Sequence, residues 1–570
     1  MDRFDRQFFR RLWSLTKPYW YSDQRRTALG LFVLLLLFMF GAIGLQGIFS
    51  FILRDLTNAL VAKDATRYYR LLEYVLVWVL VMVPVAAYAP WIGGRLAILW
   101  REWLTHRFTE LGFSNHGFYR IGLSGRADNP DQRISEDINT FTGQTLDYLF
   151  QFLASAVTFA TFFGILWSIS PRLALVLSGA AVAGTYASAL VGGRLVTINF
   201  NQQRYEADFR FALVHVRDHA EEITMYGGEH NESARLNRRF GDVFRNFNLL
   251  ILWQRRPAFV TFFYTNALVL LANFLLAGAY FAGKLQLGQF TQAAMAYSSL
   301  TDALSLVVTK FQGLTSYAAV VNRLAMFREE CESLEAELPN GRSRIQVAEA
   351  ADLEFDRVTL LTPDYNRALL SGLSFKLACG DRLLVKGPSG VGKTSLLRAI
   401  AQIWQAGEGR ILRPPAGDNL FLSQRPYMIL GTLRDQLCYP RAAGASEDEM
   451  RQALYEVNLG DLLDRVPGFD TELNWAHVLS PGEQQRLAFA RLFLHRPRYV
   501  FLDEATSALD SNNEAILYRH LEETGTTVLS VSHHAGLLRY HKRVLELAGG
   551  ANWKLVPCTA AASANTEPNP

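Results

Sequence analysis

Two regimes of hydrophobic patterning divide this sequence. Up to about residue 326, apolar residues run in stretches of roughly 20 or more, long enough to cross a hydrocarbon core as helices. Beyond residue 350 they fall in short runs broken by glycine and polar turns, the pattern of a soluble α/β fold. The long stretches predict six spans, near 28–53, 71–94, 149–169, 173–193, 259–283 and 290–317, the last being the most polar. If the spans alternate, the N-terminus, segments 95–148 and 194–258, and everything after 318 share one side. Their arginines make that side cytoplasmic, while the opposite loops "SISPR" and "GKLQLG" are short.

Ahead of the first span, "MDRFDRQFFRRLWSLTKPYW" predicts an interfacial amphipathic helix within 1–27, with Phe4, Phe8, Leu12 and Leu15 towards lipid. A transmembrane domain with two long cytoplasmic loops then occupies 28–326, a polar linker 327–349, the α/β domain 350–557, and a disordered tail 558–570.

Composition adds exclusions. A net charge of +4 without a clustered basic stripe argues against a nucleic-acid partner. The four cysteines, Cys331, Cys379, Cys438 and Cys558, lack metal-ligand spacing, which argues against zinc and against a disulfide framework. The start is too charged, and the first apolar run too long, for a cleaved secretion signal.

Chemistry concentrates in the α/β half. "LLVKGPSGVGKTSLL" sets an apolar strand before Gly387, Pro388, Ser389, Gly390, Val391, Gly392, Lys393, Thr394 and Ser395, with a helix beginning there. This is GxxxxGK[ST] in strand–loop–helix context: backbone N–H groups curl around phosphate, Lys393 reaches the terminal phosphates, and the Thr394 hydroxyl suits Mg²⁺. "RYVFLDEATSALD" ends a buried strand in two carboxylates. There Asp503 suits the Mg²⁺ shell and Glu504 the base that orients an attacking water. In "LSPGEQQRLAF", Ser480, Pro481, Gly482 and Glu483 open a helix whose N-terminus favours an anion.

Together these residues resemble the ATP-binding cassette of ABC transporters, over about 350–548. The resemblance implies ATP and Mg²⁺ as ligands. It implies that Gln424 in "FLSQRPY" is a Q-loop glutamine sensing Mg²⁺ and the membrane domain, and that "SALD" up to Asp510 is the D-loop. In "SVSHH", His533, with His534 as its competitor, is the switch histidine that contacts the γ-phosphate. The signature at Ser480 would close over nucleotide held by a second copy, giving a homodimer with two composite sites. Where such cassettes commonly stack an aromatic on adenine, "FDRVTLLTPDYN" offers Thr362, with Tyr365 as the substitute.

The membrane half narrows the resemblance. "NPDQRISEDI" (129–138) and "AEEITMYGGEHNE" (220–232) read as helical contact surfaces for the cassettes. They resemble loops of SbmA/BacA-like permeases and of the subfamily D transporters of peroxisomes, as does "QRPYMILGTLRDQLCYP". The implied fold is an α-helical transmembrane bundle of six spans, type IV and exporter-like, joined to an α/β P-loop nucleotide-binding domain. The implied function is ATP-driven translocation across the cytoplasmic membrane. One branch points to import of a hydrophilic or amphipathic substrate, such as an antimicrobial peptide or a corrinoid; the other points to fatty acyl or lipid-like substrates.

On the sixth span, Ser298, Asp302, Ser305 and Thr309 recur at spacings of four, three and four, a polar stripe that would line a substrate cavity. Asp302 near a helix end could equally be merely solvated. An ATP-gated channel or sensor is the rival class, against which Glu504 argues for turnover.

Overall fold

The structure, a computed structural model, describes residues 5–124, 130–336, 343–441 and 444–558. It comprises two compact units, Met1–Glu337 and Leu338–Pro570.

The first unit is helical. A short helix α1 (Arg6–Trp20) precedes six long ones: α2 (Arg25–Val61), α3 (Ala65–Phe113), α4 (Ile138–Ile169), α5 (Pro171–Asp218), α6 (Glu229–Phe281) and α7 (Leu287–Ala336). Tight turns join them in pairs. Asp64 caps α3 by accepting from Arg67 N–H at 3.0 Å, and Ser170 caps α5 ahead of Pro171. Among the described residues, α2, α3 and the stretch Pro130–Ile169 are long and apolar enough to cross a membrane. Only 6% of the most apolar window of α3 is buried within the chain, so its remaining surface calls for lipid.

Three expectations are corrected here. The segments 95–148 and 194–258 are not loops: α3 runs on to Phe113, α5 to Asp218, and α6 begins at Glu229. Their polar sequence marks where helices leave the hydrocarbon, not where they end. The stretch 327–349 is no linker either, because α7 continues to Ala336 and strand β1 (Gln346–Glu349) is already part of a sheet.

The third correction concerns α1. Phe8, Leu15 and Tyr19 are buried and Leu12 packs beside them, in a cluster with Leu96, Trp100 and Leu104 of α3 and Val321, Leu324 and Phe327 of α7. Tyr19 stacks on Trp100 at 5.4 Å. Arg11 pairs with Glu329 at 2.9 Å, and Arg328 donates to the Ser14 carbonyl at 2.9 Å. The apolar stripe faces neighbouring helices instead of lipid, and each large side chain so covered contributes roughly 1.5–3 kcal/mol. Phe4 lies outside the described residues.

The segment Pro130–Asp137, short of helix α4, includes a π-helical turn, Arg133–Asp137. Half of this sequence faces inwards. Asp137 accepts from Arg133 at 3.0 Å and from Arg323 Nε of α7 at 2.8 Å, with Arg133 and Asp137 both buried. Only its other residues, Asp131, Gln132, Ser135 and Glu136, are exposed for contact with anything else.

The second unit is α/β. An outer sheet has order β1-β5-β2-β3, from β2 (Leu353–Leu361), β3 (Ala368–Leu377) and β5 (Gly407–Arg413). The main sheet has order β10-β9-β4-β8-β7-β6. Its strands are β4 (Arg382–Lys386), β6 (Asn419–Leu422), β7 (Tyr499–Asp503), β8 (Thr527–Val531), β9 (Arg543–Gly549) and β10 (Asn552–Pro557). Strands β4, β6, β7, β8 and β9 are parallel, and β7 and β8 are buried almost throughout, which their continuous apolar runs require. Helices α8 (Lys393–Ile400), α9 (Pro481–His495) and α10 (Ser511–Glu523) accompany them.

Candidate functional site: a nucleotide site at the strand ends

The parallel register aligns the carboxyl ends of four strands, the place where open α/β sheets bind ligands. Val531 of β8 sits opposite Asp503 of β7 and Val385 of β4, while Leu422 of β6 sits opposite Leu502. Each strand then delivers one part of the site within two or three residues. Strand β4 leads into the glycine loop, β6 into Gln424, β7 into Asp503 and Glu504, and β8 into His533.

Glycine is needed in the loop for steric reasons. Gly387 has φ +155°, and a Cβ there would lie 2.4 Å from the Leu547 carbonyl oxygen; Gly392, at φ +107°, opens α8. Lys393 folds back over the loop, donating to the Gly387 carbonyl at 2.8 Å and the Pro388 carbonyl at 3.0 Å, with His533 Nε2 at 3.0 Å. Burial pulls the Lys393 ammonium below the usual lysine range, against the pull of Glu504 and Asp503.

Thr394 Oγ1 donates to Asp503 Oδ1 at 3.2 Å. Burial raises the Asp503 carboxyl, the Thr394 hydrogen bond lowers it, and the neighbouring charge of Glu504 raises it further, leaving it above the usual range. Glu504 receives a hydrogen bond from Gln424 Nε2 at 3.2 Å and stands 3.4 Å from His533 Nε2. Its backbone lies at φ +50°, rare for a residue other than glycine and typical of functional sites. Bonds from Glu504 N–H to the Val531 carbonyl and from Ser507 N–H to the Glu504 carbonyl hold it there.

Lys393, Thr394, Asp503, Glu504, Gln424 and His533 therefore form one cluster. Of the two adjacent histidines, His533 is the one that faces this cluster. His534 turns away to Glu514, with Nδ1 at 3.1 Å from Oε1.

The signature residues lie apart from this cluster. Ser480 caps α9, its hydroxyl accepting from Glu483 N–H at 3.4 Å while Glu483 accepts from Ser480 N–H at 2.9 Å. Burial raises the Glu483 carboxyl, but hydrogen bonds from Ser480 and Arg465 outweigh it and hold the group below the usual range. Gly482 packs on the Ala508 carbonyl, where a Cβ would be 3.0 Å away. Among the described residues, no hydrogen bond joins Ser480, Gly482 or Glu483 to residues 387–395 of the same chain. Asp510 caps α10, accepting from Asn512 and Asn513 N–H groups at 2.9 Å.

Thr362 and Tyr365 flank the turn between β2 and β3, both half-buried. Thr362 bonds to Asp364, and the Tyr365 hydroxyl donates to the Ser343 carbonyl at 3.3 Å. On α7, Ser298 and Asp302 are exposed, and Ser305 is half-buried with its hydroxyl on the Asp302 carbonyl at 3.0 Å. Tyr297, Leu300 and Thr301 on the other face are buried. The Thr309 side chain lies outside the described residues. Sequence reasoning missed Gln485 and Glu514, buried polar residues behind the site, because only the folded loops reveal their partners.

A lipid-facing helical bundle followed by a P-loop nucleotide fold defines a membrane protein driven by ATP. Residues 15–281 match the family described as ABC transporter transmembrane region 2, and residues 370–507 match the ABC transporter family. The ABC transporter D family member 2, chloroplastic, of Arabidopsis thaliana is 34% identical over 96% of this chain and 88% of its own length. The lysosomal cobalamin transporter ABCD4 of Homo sapiens is 30% identical over 97% of each. Among solved structures, a bacterial Atm1-family ABC exporter with ATP bound shares the fold with a TM-score of 0.77 at 20% identity, covering 95% of this chain and 98% of that one. The chain belongs to the ABC transporter family, with relatives in its D branch. It is a multi-pass membrane ATPase that couples ATP hydrolysis to transport.

Proposed function

We propose that two copies of this chain form a homodimeric half-transporter that imports a hydrophilic or amphipathic substrate of the corrinoid or peptide class across the cytoplasmic membrane. The observation that carries the substrate class is the likeness to a protein named as a cobalamin transporter, which spans 97% of both chains. Exposure of Ser298 and Asp302 on one face of α7, with Ser305 half-buried beyond them, supports a polar path for such cargo. In this reading α2 to α7 are the six spans, and the arginine-rich ends of the long helices support a cytoplasmic cassette.

The chemistry proposed is hydrolysis of the ATP γ-phosphate. Residues 387–395 bind the phosphates, with Lys393 neutralising charge. Glu504, oriented by Gln424 and by His533 at its other side, takes the proton of the attacking water. Thr394 and Asp503 offer a hydroxyl and a carboxylate oxygen 3.2 Å apart, the hard donors that Mg²⁺ prefers, and Gln424 would complete the protein's share. When bound, Mg²⁺ supplies charge neutralisation on the β- and γ-phosphates.

Two features support a second copy. Ser480, Gly482 and Glu483 make no hydrogen bond to their own P-loop. In addition, α5 and α6 expose Phe200, Phe211, Phe240 and Phe244, large apolar side chains left for a partner to cover.

The composite site is tested with mixed dimers of Lys393→Ala and Ser480→Arg chains, isolated through two tags. One intact site should then occlude nucleotide above either parent, and occlusion no higher than in the parents would count against the arrangement. Substrate class and direction are tested together in sealed vesicles of known orientation. ATP-dependent uptake of cobalamin or a cationic peptide from the non-cytoplasmic side is expected, whereas transport of fatty acyl cargo alone would replace the substrate proposed.

A further inference from the structure

Gln485 sits two residues beyond Glu483 on α9, and it is only 2% exposed. A buried primary amide must satisfy both of its ends, and here they go to two different loops. Its Nε2 donates to the Gln424 backbone carbonyl at 2.9 Å and to Ser507 Oγ at 3.3 Å. Its Oε1 accepts from Ala508 N–H at 3.0 Å. Among the described residues, its hydrogen bonds reach no charged group; Glu504 is reached only through the Gln424 side chain, at 3.2 Å.

The two loops matter because both act on one carboxylate. Gln424 orients Glu504 from the end of β6, while Ser507 and Ala508 lie on the turn that follows Glu504 and leads to Asp510. Ser507 N–H is itself bonded to the Glu504 carbonyl at 3.1 Å. One amide thus fixes the distance between the residue that orients the base and the turn that carries it. It does so from the helix whose first turn holds Ser480, Gly482 and Glu483.

We infer that Gln485 is a positioning residue for hydrolysis, locking the backbone of Gln424 to the turn at 507–508 so that Glu504 keeps its working orientation. The inference rests on the roles assigned above to Glu504 and Gln424. Nothing in this contact touches residues 387–395, so ATP binding should be spared.

The test uses the full-length protein in detergent or proteoliposomes, measuring steady-state ATPase from pH 6 to pH 8. Gln485→Met keeps the length of the side chain but takes the Gln485 amide from the Gln424 carbonyl and the Ala508 N–H, releasing the two loops from each other, and kcat should fall about 10- to 100-fold with KM for ATP little changed. Gln485→Glu carries the sharper readout. Ionised, it sets a carboxylate against the Gln424 carbonyl; protonated, it regains a donor towards Gln424 and an acceptor for Ala508. Burial favours that protonated form at mildly acidic pH. Its kcat relative to wild type should therefore rise several-fold from pH 8 to pH 6, whereas the Gln485→Met ratio stays flat.

A wild-type kcat in Gln485→Met, or a flat pH ratio in Gln485→Glu, overturns the inference. So does a rise in KM matching the fall in kcat. If Gln485→Met does not fold, the pH ratio of Gln485→Glu decides alone. Glu504→Gln is run alongside: near-normal turnover there refutes the site assignment itself, a result distinct from failure of the Gln485 lock.

Discussion

Asp137 holds two arginines, and its removal should destabilise the helical unit strongly. The carboxylate is 5% exposed, Arg133 10% and Arg323 37%. At an effective dielectric near 20, each pair attracts by roughly 4 kcal/mol at about 4 Å, most of it offset by the desolvation of both ions. Breaking the arrangement from the Asp137 side is different, because Arg133 stays buried with its charge uncompensated, a loss of about 3–5 kcal/mol. Asp137→Asn keeps a hydrogen-bond acceptor, so the lower figure, about 3 kcal/mol, is expected.

Arg323 is over one-third exposed, and water would replace much of what Arg323→Met loses, which limits that change to about 1 kcal/mol. Tryptophan-fluorescence melts of the detergent-solubilised protein should show Asp137→Asn lowered by roughly 4 °C and Arg323→Met by about 1–2 °C. The double variant should melt close to Asp137→Asn, since both changes remove the same Asp137–Arg323 contact. A midpoint for Asp137→Asn within about 1 °C of wild type, or a larger loss in Arg323→Met, would refute the reasoning.

Further outcomes are expected in the cassette and on α7. Glu504→Gln should cut steady-state ATPase by about 10²- to 10⁴-fold while nucleotide stays bound, because the base is lost and Thr394 and Asp503 remain. His541 is buried, and desolvation, aided by the charges of Arg382 and Lys386, depresses its pKa from 6.5 to about 4. An unfolded chain therefore takes up the proton first, so stability is fully present above pH 6.5 and is lost as pH falls through the folded pKa, by roughly 3 kcal/mol. Melts from pH 7 to pH 4 should show that loss in wild type and a flatter acid limb in His541→Gln. A cysteine at Ser298 should react with a membrane-impermeant thiol reagent, whereas one at Leu304, which packs against the α4–α5 cluster, should not; equal labelling of both would remove the polar stripe.

The legibility of this chain follows the range of the interactions. The glycine loop could be read because its geometry depends on a few consecutive residues, and α2, α3 and α4 because lipid imposes a long apolar window. The helical continuations from Arg95 to Phe113 and from Glu229 to Phe259 could not, since outside the hydrocarbon a helix is no longer obliged to be apolar. The linker misled for the same reason: "FREECESLEA" is polar, yet it is the end of α7. The 129–138 segment reads throughout as a contact surface for the cassettes until Arg323, some 190 residues later, turns Asp137 inwards. His533 and His534 are equivalent in sequence and are separated only by Glu514.

The burial of α1 has a consequence for how the chain is made. Its covering residues on α7, Val321, Leu324 and Phe327, are synthesised about 300 residues after Phe8, roughly 15–60 s later at ordinary elongation rates. For that interval the part of the stripe that α3 does not meet stays uncovered beside the membrane surface, the state that its amphipathic pattern describes. The first helix is thus locked by the last. Nascent chains stalled before residue 317 should remain open to protease between Arg6 and Trp20, and chains released after Ala336 should be protected there; cleavage of both alike would show that α7 is not the lock.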